Sequence, residues 1–242
     1  MQAEQEESQG TSEETRKPRN VELTERDVAT LRFIGEQYAV RFDQLQRVLG
    51  MRAGGVMQHP GLLSESATRV WLARMKAVEA IEMQRPYGSQ PAYLWPTITG
   101  LHLAALDYRP LRPAPATLMH LYWITQTRLY LATKRPTDRW IPERQLRSEQ
   151  HARRSHNEQE TPDAQLITAK GPLAIEVELS IKQTTRLVNL LRRRASEYYT
   201  VWYFCAEATF VRVEAAKKEL PAELRERIQL YPLKQVEQGG AG

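Results

Sequence analysis

The sequence predicts an α+β protein with two folded parts, a helical N-terminal part carrying a β-hairpin and a C-terminal part built on a mixed sheet. Apolar residues recur at helical spacing in the first part, and strand-like alternation marks the second. Between them lies the proline-rich segment DYRPLRPAPAT, which cannot continue a helix and tends to be semi-rigid. The predicted boundaries are a disordered tail at 1–20, domains at 21–109 and 117–235, a linker at 110–116 and a flexible tail at 236–242.

Composition indicates a basic globular protein of 242 residues, 41% of them hydrophobic. The formal net charge is +5, and setting aside five glutamates in the acidic first fifteen residues leaves +10 on the rest. A body this basic favours a polyanionic partner such as nucleic acid. No stretch has the length and apolar character of a membrane span, and no signal-peptide pattern opens the chain, so we expect a cytoplasmic protein without membrane contact.

The N-terminal part begins with two predicted helices. The first lies in LTERDVATLRFIGEQYAV, where Thr24 and Asp27 have the spacing of a capping box. The second lies in RFDQLQRVLG, which Gly50 should end, and the glycine-rich stretch MRAGGVMQHPGLL should form a loop. Ser64 or Ser66 then caps a third helix, SATRVWLARMKAVEA. Its outward basic residues are Arg69, Arg74 and Lys76.

A β-hairpin and a fourth helix complete this part. AIEMQRPYGSQPAYLWP predicts two strands around a turn, and TITGLHLAAL predicts a helix. This order is that of a winged helix-turn-helix, and the strand followed by T..G..LA resembles the ending of winged-helix DNA-binding regulators. The resemblance implies that the helix at 66–79 enters the major groove while the wing, with Arg85, touches the DNA backbone. A winged helix that mediates protein contacts alone is the alternative.

The C-terminal part predicts the order αβββαβαβ, a mixed sheet covered by helices. The long amphipathic helix TLMHLYWITQTRLYLATK comes first, followed by strands in RWIPERQLR, PDAQLITAKG and PLAIEVELSIK, with the polar loop SEQHARRSHNEQET after the first strand. A helix in QTTRLVNLLRRRASEY, a buried strand in YTVWYFCA, a helix in RVEAAKKEL and a last strand in RIQLYPL complete the order.

The strand LAIEVELSIK has two unlike faces, because side chains alternate along a strand. Leucine, isoleucine and valine line one face, and the other carries Glu176, Glu178, Ser180 and Lys182. The short loop AKGP brings Asp163 of the preceding strand towards these acids. Converging carboxylates suit Mg²⁺, which can activate water and stabilise a phosphodiester under attack. The residues alone leave open a plain solvated polar face.

Proline-aspartate followed by an acid on the next strand resembles the PD-(D/E)xK nuclease superfamily, whose αβββαβ core is similar to the predicted order. The resemblance implies Asp163 and Glu176 as Mg²⁺ ligands and Glu143 of PERQL as an additional acid. Glu178 stands where most members have lysine, and Lys182 comes later than the standard spacing, so either could complete a catalytic site. The departure equally fits a degenerate nuclease fold that binds DNA without cutting.

Over residues 22–235 the arrangement resembles the replication-relaxation family of bacterial plasmids and other mobile elements. The motifs that carry this resemblance are His120 and Arg128 on one helix, W.PE..LR, PDAQL and IEVELSIK. It implies a DNA-binding protein with a role in plasmid replication or DNA relaxation and does not establish a reaction. Together with the nuclease-like motif, the hypotheses are a metal-dependent endonuclease or nickase and a non-catalytic regulator or accessory factor. Replication or mobilisation proteins are the implied partners, a homodimer is open, and a second domain that recruits a protein is a third hypothesis.

Other residues have structural or phosphate-binding interpretations. The remaining predicted DNA contacts are Arg147, Arg153, Arg154 and Arg186. Three consecutive arginines, 192–194, should fan around a helix and form a solvated surface. His120 is interpreted as a packed or capping histidine, with a catalytic base as the alternative, and Cys205 as a buried, inert thiol. The tryptophans at 71, 123 and 202 are interpreted as core residues.

Overall fold

The computed structural model describes residues 22–51, 61–152 and 160–238. The predicted disordered tail at 1–20, most of the predicted glycine-rich loop, and the predicted DNA contacts Arg153 and Arg154 lie outside the described residues. Within them the protein is mixed α/β, with one antiparallel sheet of three strands and one mixed sheet of five. No helix in the described part is long and apolar enough to cross a membrane.

The four predicted N-terminal helices and the hairpin are present, together with one additional short strand. The described elements in order are α1 (Glu25–Glu36), β1 (Val40–Arg41), α2 (Phe42–Met51), α3 (Glu65–Ala77), β2 (Ile81–Gln84), β3 (Tyr93–Pro96) and α4 (Ile98–Leu103). The strands form an antiparallel sheet in the order β1-β3-β2. The three longer helices and this sheet share one apolar core, to which Leu31, Leu45, Met75 and Leu94 contribute.

Side-chain caps define where two of these helices begin. Thr24 accepts from the Asp27 backbone while Asp27 accepts from the Thr24 backbone, which confirms the predicted capping box. Ser64 caps α3. Gly50 does not end α2, because the helix continues to Met51. A Cβ at Gly50 would lie 1.8 Å from the Gly61 carbonyl oxygen, so this glycine allows the chain entering α3 to pass close to α2.

The C-terminal part is a five-stranded sheet with helices on both faces. Its described elements are α5 (Pro115–Lys134), β4 (Arg139–Pro142), α6 (Glu143–Ala152), β5 (Ala164–Thr168), β6 (Gly171–Glu178), α7 (Thr184–Glu197), β7 (Val201–Cys205), α8 (Glu207–Lys218), α9 (Ala222–Arg225), β8 (Ile228–Pro232) and α10 (Leu233–Gln238). The strand order is β4-β5-β6-β7-β8. Antiparallel pairs join β4, β5 and β6, and parallel pairs join β6, β7 and β8.

The structure corrects three of the predicted elements. The strand predicted at 139–147 ends at Pro142, and α6 occupies the rest of that segment and residues 148–152 of the predicted polar loop. β6 ends at Glu178, since its parallel partner β7 ends at Cys205, which lies opposite Glu178. The prediction that Ser180 and Lys182 extend the polar face of the strand is therefore wrong. At the C-terminus α10 reaches residue 238 and buries Val236, so the folded part continues beyond residue 235.

Strand β6 is covered on both faces. Leu173, Ile175 and Val177 pack in a cluster with residues of α5 and α10, as expected for a helix-covered apolar face. Ala174, on the other face, packs with residues of α7 and α8. The face that carries Glu176 and Glu178 is therefore the one beneath α7 and α8, and it is largely shielded from solvent.

Helix α5 contacts both sheets. It begins at Pro115, inside the predicted linker. Near its start Leu118 and Tyr122 pack with Tyr93 and Trp95 of the three-stranded sheet. Further along, Arg128 forms an ion pair of 2.7 Å with Glu36 of α1. The N-terminal part is thereby joined to the five-stranded sheet through a shared, packed helix.

Candidate functional site

The orientation of α3 is set by a buried carboxylate of α1. Asp27, which is 0% exposed, accepts hydrogen bonds from the Trp71 indole at 2.8 Å and from Arg74 Nη2 at 2.8 Å. Burial raises the pKa of Asp27, but hydrogen bonds from Thr24 and Arg74 outweigh it and lower that pKa overall. Arg74, a predicted DNA contact, is therefore engaged within the protein. Trp71 is a core residue, as predicted.

The outer face of α3 carries basic, small and apolar side chains. Its exposed residues are Glu65, Ser66, Arg69, Val70, Ala73, Lys76 and Ala77. Val70 is 62% exposed, which is unusual for a valine in the middle of a helix. Arg69 pairs with Glu65 at 2.6 Å, and both side chains remain mostly exposed. The predicted outward positions of Arg69 and Lys76 are confirmed.

A cleft separates α3 from the loop between β2 and β3. It has a volume of about 410 Å³, and Arg69 and Arg85 are among its lining residues. Arg85 is exposed, as expected for a loop residue that reaches towards a ligand. Asp43 and Glu65 also line the cleft, so its two guanidinium groups lie beside two carboxylates.

Three predicted acids lie side by side at one end of the five-stranded sheet. The Glu143 backbone N–H donates to the Asp163 carbonyl at 3.2 Å, which places these residues together where β4 and β5 meet. Asp163 precedes the Ala164–Ile175 pair of the β5–β6 ladder and so lies opposite Glu176. The structure therefore brings Glu143, Asp163 and Glu176 together, one from the end of each neighbouring strand. We call these three residues the acid cluster.

Each member of the acid cluster has a cationic or hydrogen-bonding partner from the protein. Asp163 Oδ1 lies 3.0 Å from His120 Nε2, and its Oδ2 accepts from the Val177 backbone N–H at 2.7 Å. Glu143 pairs with Arg147 at 2.7 Å. Glu176 pairs with Arg194, which also donates to the Glu160 carbonyl at 2.5 Å. The side-chain partners of the acid cluster are therefore His120, Arg147 and Arg194.

Glu178 and Lys182 form a pair of their own beside the acid cluster. The Glu178 carboxylate accepts from the Lys182 ammonium and from the Ser180 backbone N–H at 3.3 Å. The Glu178 side chain is 5% exposed. Lys182 therefore reaches this face from the loop after β6, not from the strand itself. The predicted catalytic roles of both residues stay predictions.

The proximity of these charges changes their protonation. Burial, and then the negative charge of Asp163, raises the pKa of Glu176 to about 7. Burial also raises the pKa of Glu143. Burial lowers the pKa of His120, but the hydrogen bond and charge of Asp163 outweigh it and raise that pKa overall. Asp163 therefore favours the charged form of the imidazole that it contacts.

The side chains of the acid cluster do not fit a divalent metal in this arrangement. In the described part of the chain, no group of three or more histidine, cysteine or acidic residues could hold a metal ion. Both Asp163 oxygens accept hydrogen bonds, and a guanidinium holds Glu176. Oxygen atoms already held by protein donors are poor ligands for Mg²⁺, which requires several oxygens in near-octahedral geometry. The predicted Mg²⁺ site of Asp163 and Glu176 stays a prediction.

Two residues of the site differ from their sequence interpretation. Arg194 is not part of a solvated surface, since it is 2% exposed. The helical spacing of Leu187, Leu191 and Arg194 was a usable signal, because it places this arginine on the buried stripe of α7. His120, interpreted as packed or capping, is instead the partner of Asp163. No comparable sequence signal links residues so far apart in the chain.

The remaining predicted residues lie apart from the acid cluster or in the core. Arg186 is exposed on α7 and lies 3.5 Å from Glu160. Trp123 and Trp202 are half-buried, in partial agreement with a core position. Cys205 is buried, as predicted, and burial raises the pKa of its thiol to about 12.

No protein-family model, curated protein or solved structure matches this chain.

Proposed function

We propose that this protein binds duplex DNA, with its N-terminal part acting as a winged helix-turn-helix. In this proposal α3 lies in the major groove and the β2–β3 loop contacts the backbone. The helices, the antiparallel sheet and the loop beside α3 support that assignment. The protein would serve as a DNA-binding regulator or replication accessory factor. We further propose, from the resemblance to the replication-relaxation family, that this role belongs to a plasmid or other mobile element.

The exposed face of α3 is the observation that carries this proposal. Val70 offers an apolar surface of the kind that contacts thymine methyl groups, and Arg69 offers a planar donor group for guanine or phosphate. Ser66 adds a hydroxyl, while Ala73 and Ala77 are small enough to allow a close approach. Basic and apolar groups together at an exposed helix surface are typical of a groove-reading helix.

The ion pair on α3 does not compete strongly with DNA. Arg69 and Glu65 are both more than half exposed, and such pairs contribute about 0–1 kcal/mol. Arg69 can therefore exchange Glu65 for a phosphate or base at little cost. The basic body of the chain adds a general attraction for a polyanion.

Strand cleavage is not part of this proposal, because the acid cluster is neutralised by protein side chains. Supercoiled plasmid incubated with Mg²⁺ or Mn²⁺ should be nicked no faster by the full chain than by Asp163→Ala/Glu176→Ala. Metal-dependent nicking that the double substitution removes would instead support the nuclease alternative. This assay does not depend on where the N-terminal part contacts DNA.

Removing two basic groups from α3 should weaken DNA binding and its dependence on salt. The slope of log affinity against log salt is negative, and each lost phosphate contact reduces its magnitude by about 1. Arg69→Ala/Lys76→Ala should therefore reduce the magnitude of the slope by about 1–2. Fluorescence anisotropy with a labelled duplex over a range of salt concentrations measures this slope.

The matched control for this experiment is Arg212→Ala/Lys218→Ala, which removes two exposed basic groups from α8. This control should retain the slope of the full chain. Equal losses in both variants would show that binding is a general effect of charge. No salt-dependent binding by the full chain would favour a domain that contacts proteins alone.

A further inference from the structure

Arg194 lies where a metal-dependent site would require a cation. It approaches Glu176, the acid cluster member on the central strand, and it also bonds the Glu160 carbonyl. We infer that Arg194 replaces a divalent cation in the acid cluster, so that the native protein binds no metal there and gains a metal site when Arg194 is removed. This inference does not rest on DNA binding.

The burial of Arg194 shows that it is a fixed part of the cluster. It is 2% exposed, and its guanidinium contacts Glu176, the Glu160 carbonyl and, at 3.5 Å, Glu197. A buried guanidinium is costly unless its donors are satisfied, so these contacts hold it in one place. The neighbouring Arg193 is different, because its side chain is 35% exposed and pairs with Glu160 near the surface.

The charges around the acid cluster are balanced without a metal. Three acids face three protein partners in the pairs Glu143–Arg147, Asp163–His120 and Glu176–Arg194. A divalent cation that entered would be repelled by the Arg194 charge and would have to displace it from Glu176. Repulsion between charges a few ångströms apart remains substantial even at the effective dielectric of a protein.

The space beside Glu176 contains a further oxygen atom that a cation could use. Tyr203 lies opposite Glu176 in the parallel β6–β7 ladder. Its hydroxyl is buried and has no hydrogen-bond partner within the described part of the chain. Burial, followed by the charge of Glu176, raises the pKa of Tyr203 well above its usual range, so this group stays protonated. Without Arg194, the oxygens of Glu176 and Tyr203 would lie together without a cation. Asp163 would add its negative charge beside them, while its own oxygens keep their bonds to His120 and the Val177 backbone.

Titration with Mn²⁺ as the probe, followed by electron paramagnetic resonance of the free ion, tests this inference. The full chain should show no saturable site up to millimolar Mn²⁺. Arg194→Met should gain one saturable site, with an affinity about tenfold or more above that of the full chain. Adding Asp163→Asn to Arg194→Met should remove the site. Arg193→Met is the matched control and should behave as the full chain does.

Two results would overturn the inference. One is a saturable Mn²⁺ site in the full chain that Asp163→Asn removes. The other is an Arg194→Met protein with a native circular dichroism spectrum that gains no site. If Arg194→Met fails to fold, the comparison of the full chain with Asp163→Asn decides by itself, because the absence of a saturable site in the full chain supports the inference.

Discussion

Replacing Asp27 with alanine is expected to destabilise the protein by about 3–5 kcal/mol, because the change leaves a charged group without its buried partner. Asp27 is inaccessible to solvent and accepts bonds from Thr24, Trp71 and Arg74. Its loss removes the cap of α1, leaves the Trp71 indole N–H without its acceptor and deprives Arg74 of its carboxylate. All three effects act on the contact between α1 and α3.

Chemical denaturation at pH 7 measures this change as a shift in the free energy of unfolding. Asp43→Ala is the matched control, since Asp43 also pairs with an arginine but has a side chain that is 39% exposed. That control should cost no more than about 1 kcal/mol. Similar losses in both variants would contradict the structural role assigned to Asp27. If α3 binds DNA, Asp27→Ala should also weaken binding although Asp27 itself cannot touch the DNA.

Replacing Arg194 with methionine is expected to cost about 3–5 kcal/mol at pH 8, and less at pH 5. The reason is Glu176, whose pKa is raised to about 7 even with Arg194 present. Without this arginine the pKa should rise further. An acid with a raised pKa in the folded state binds its proton more tightly when folded, so its contribution to stability improves as pH falls from 7 towards 4.5. At pH 5 the Glu176 carboxyl is mainly neutral, so the loss of Arg194 costs less stability there.

Denaturation of Arg194→Met and of the full chain at both pH values tests this expectation. Arg193→Met should cost about 1 kcal/mol or less at either pH, because Arg193 is partly exposed. A loss of the same size at pH 5 and pH 8 would mean that packing, not the charge of Glu176, accounts for the effect. A rise in stability on replacing Arg194 would contradict the ion pair altogether.

Local signals predicted the elements more reliably than their ends. The spacing of Thr24 and Asp27 was sufficient to place the start of α1, because both partners of the cap lie within one turn. The end of β6 could not be found in this way. LAIEVELSIK alternates to Lys182, yet the strand stops where β7 ends, and that limit belongs to a segment more than twenty residues later.

Helix α6 shows why a polar segment is easily misassigned. ERQLRSEQHA has few apolar residues, and its sequence predicts the end of a strand in ERQLR and the start of a loop in SEQHA. The helix is supported instead by charged and polar pairs one turn apart, such as Glu143–Arg147 and Gln145–Glu149. Such pairs contribute little individually and can be recognised only once the helix start at Glu143 is known.

The acid cluster was predictable in its acids but not in its partners. Asp163 and Glu176 are joined by a short hairpin, so strand pairing alone brings them together. His120 and Arg194 arrive from two helices on opposite sides of the sheet, and their positions depend on how α5 and α7 pack. Their contacts determine whether the carboxylates are open to a metal, which a motif of acids and a lysine does not reveal.

Protection of a thiol introduced by Val70→Cys tests most directly whether the exposed face of α3 contacts duplex DNA. The native Cys205 is buried and has a pKa of about 12, so it should react slowly with an alkylating reagent. Val211→Cys on α8 is the matched control, because Val211 is 70% exposed and also lies within a helix. Saturating duplex DNA should slow alkylation at position 70 about tenfold or more and leave position 211 unchanged, by exclusion of the reagent from a covered surface. Unchanged alkylation at position 70 under conditions where the duplex is bound would contradict the claim.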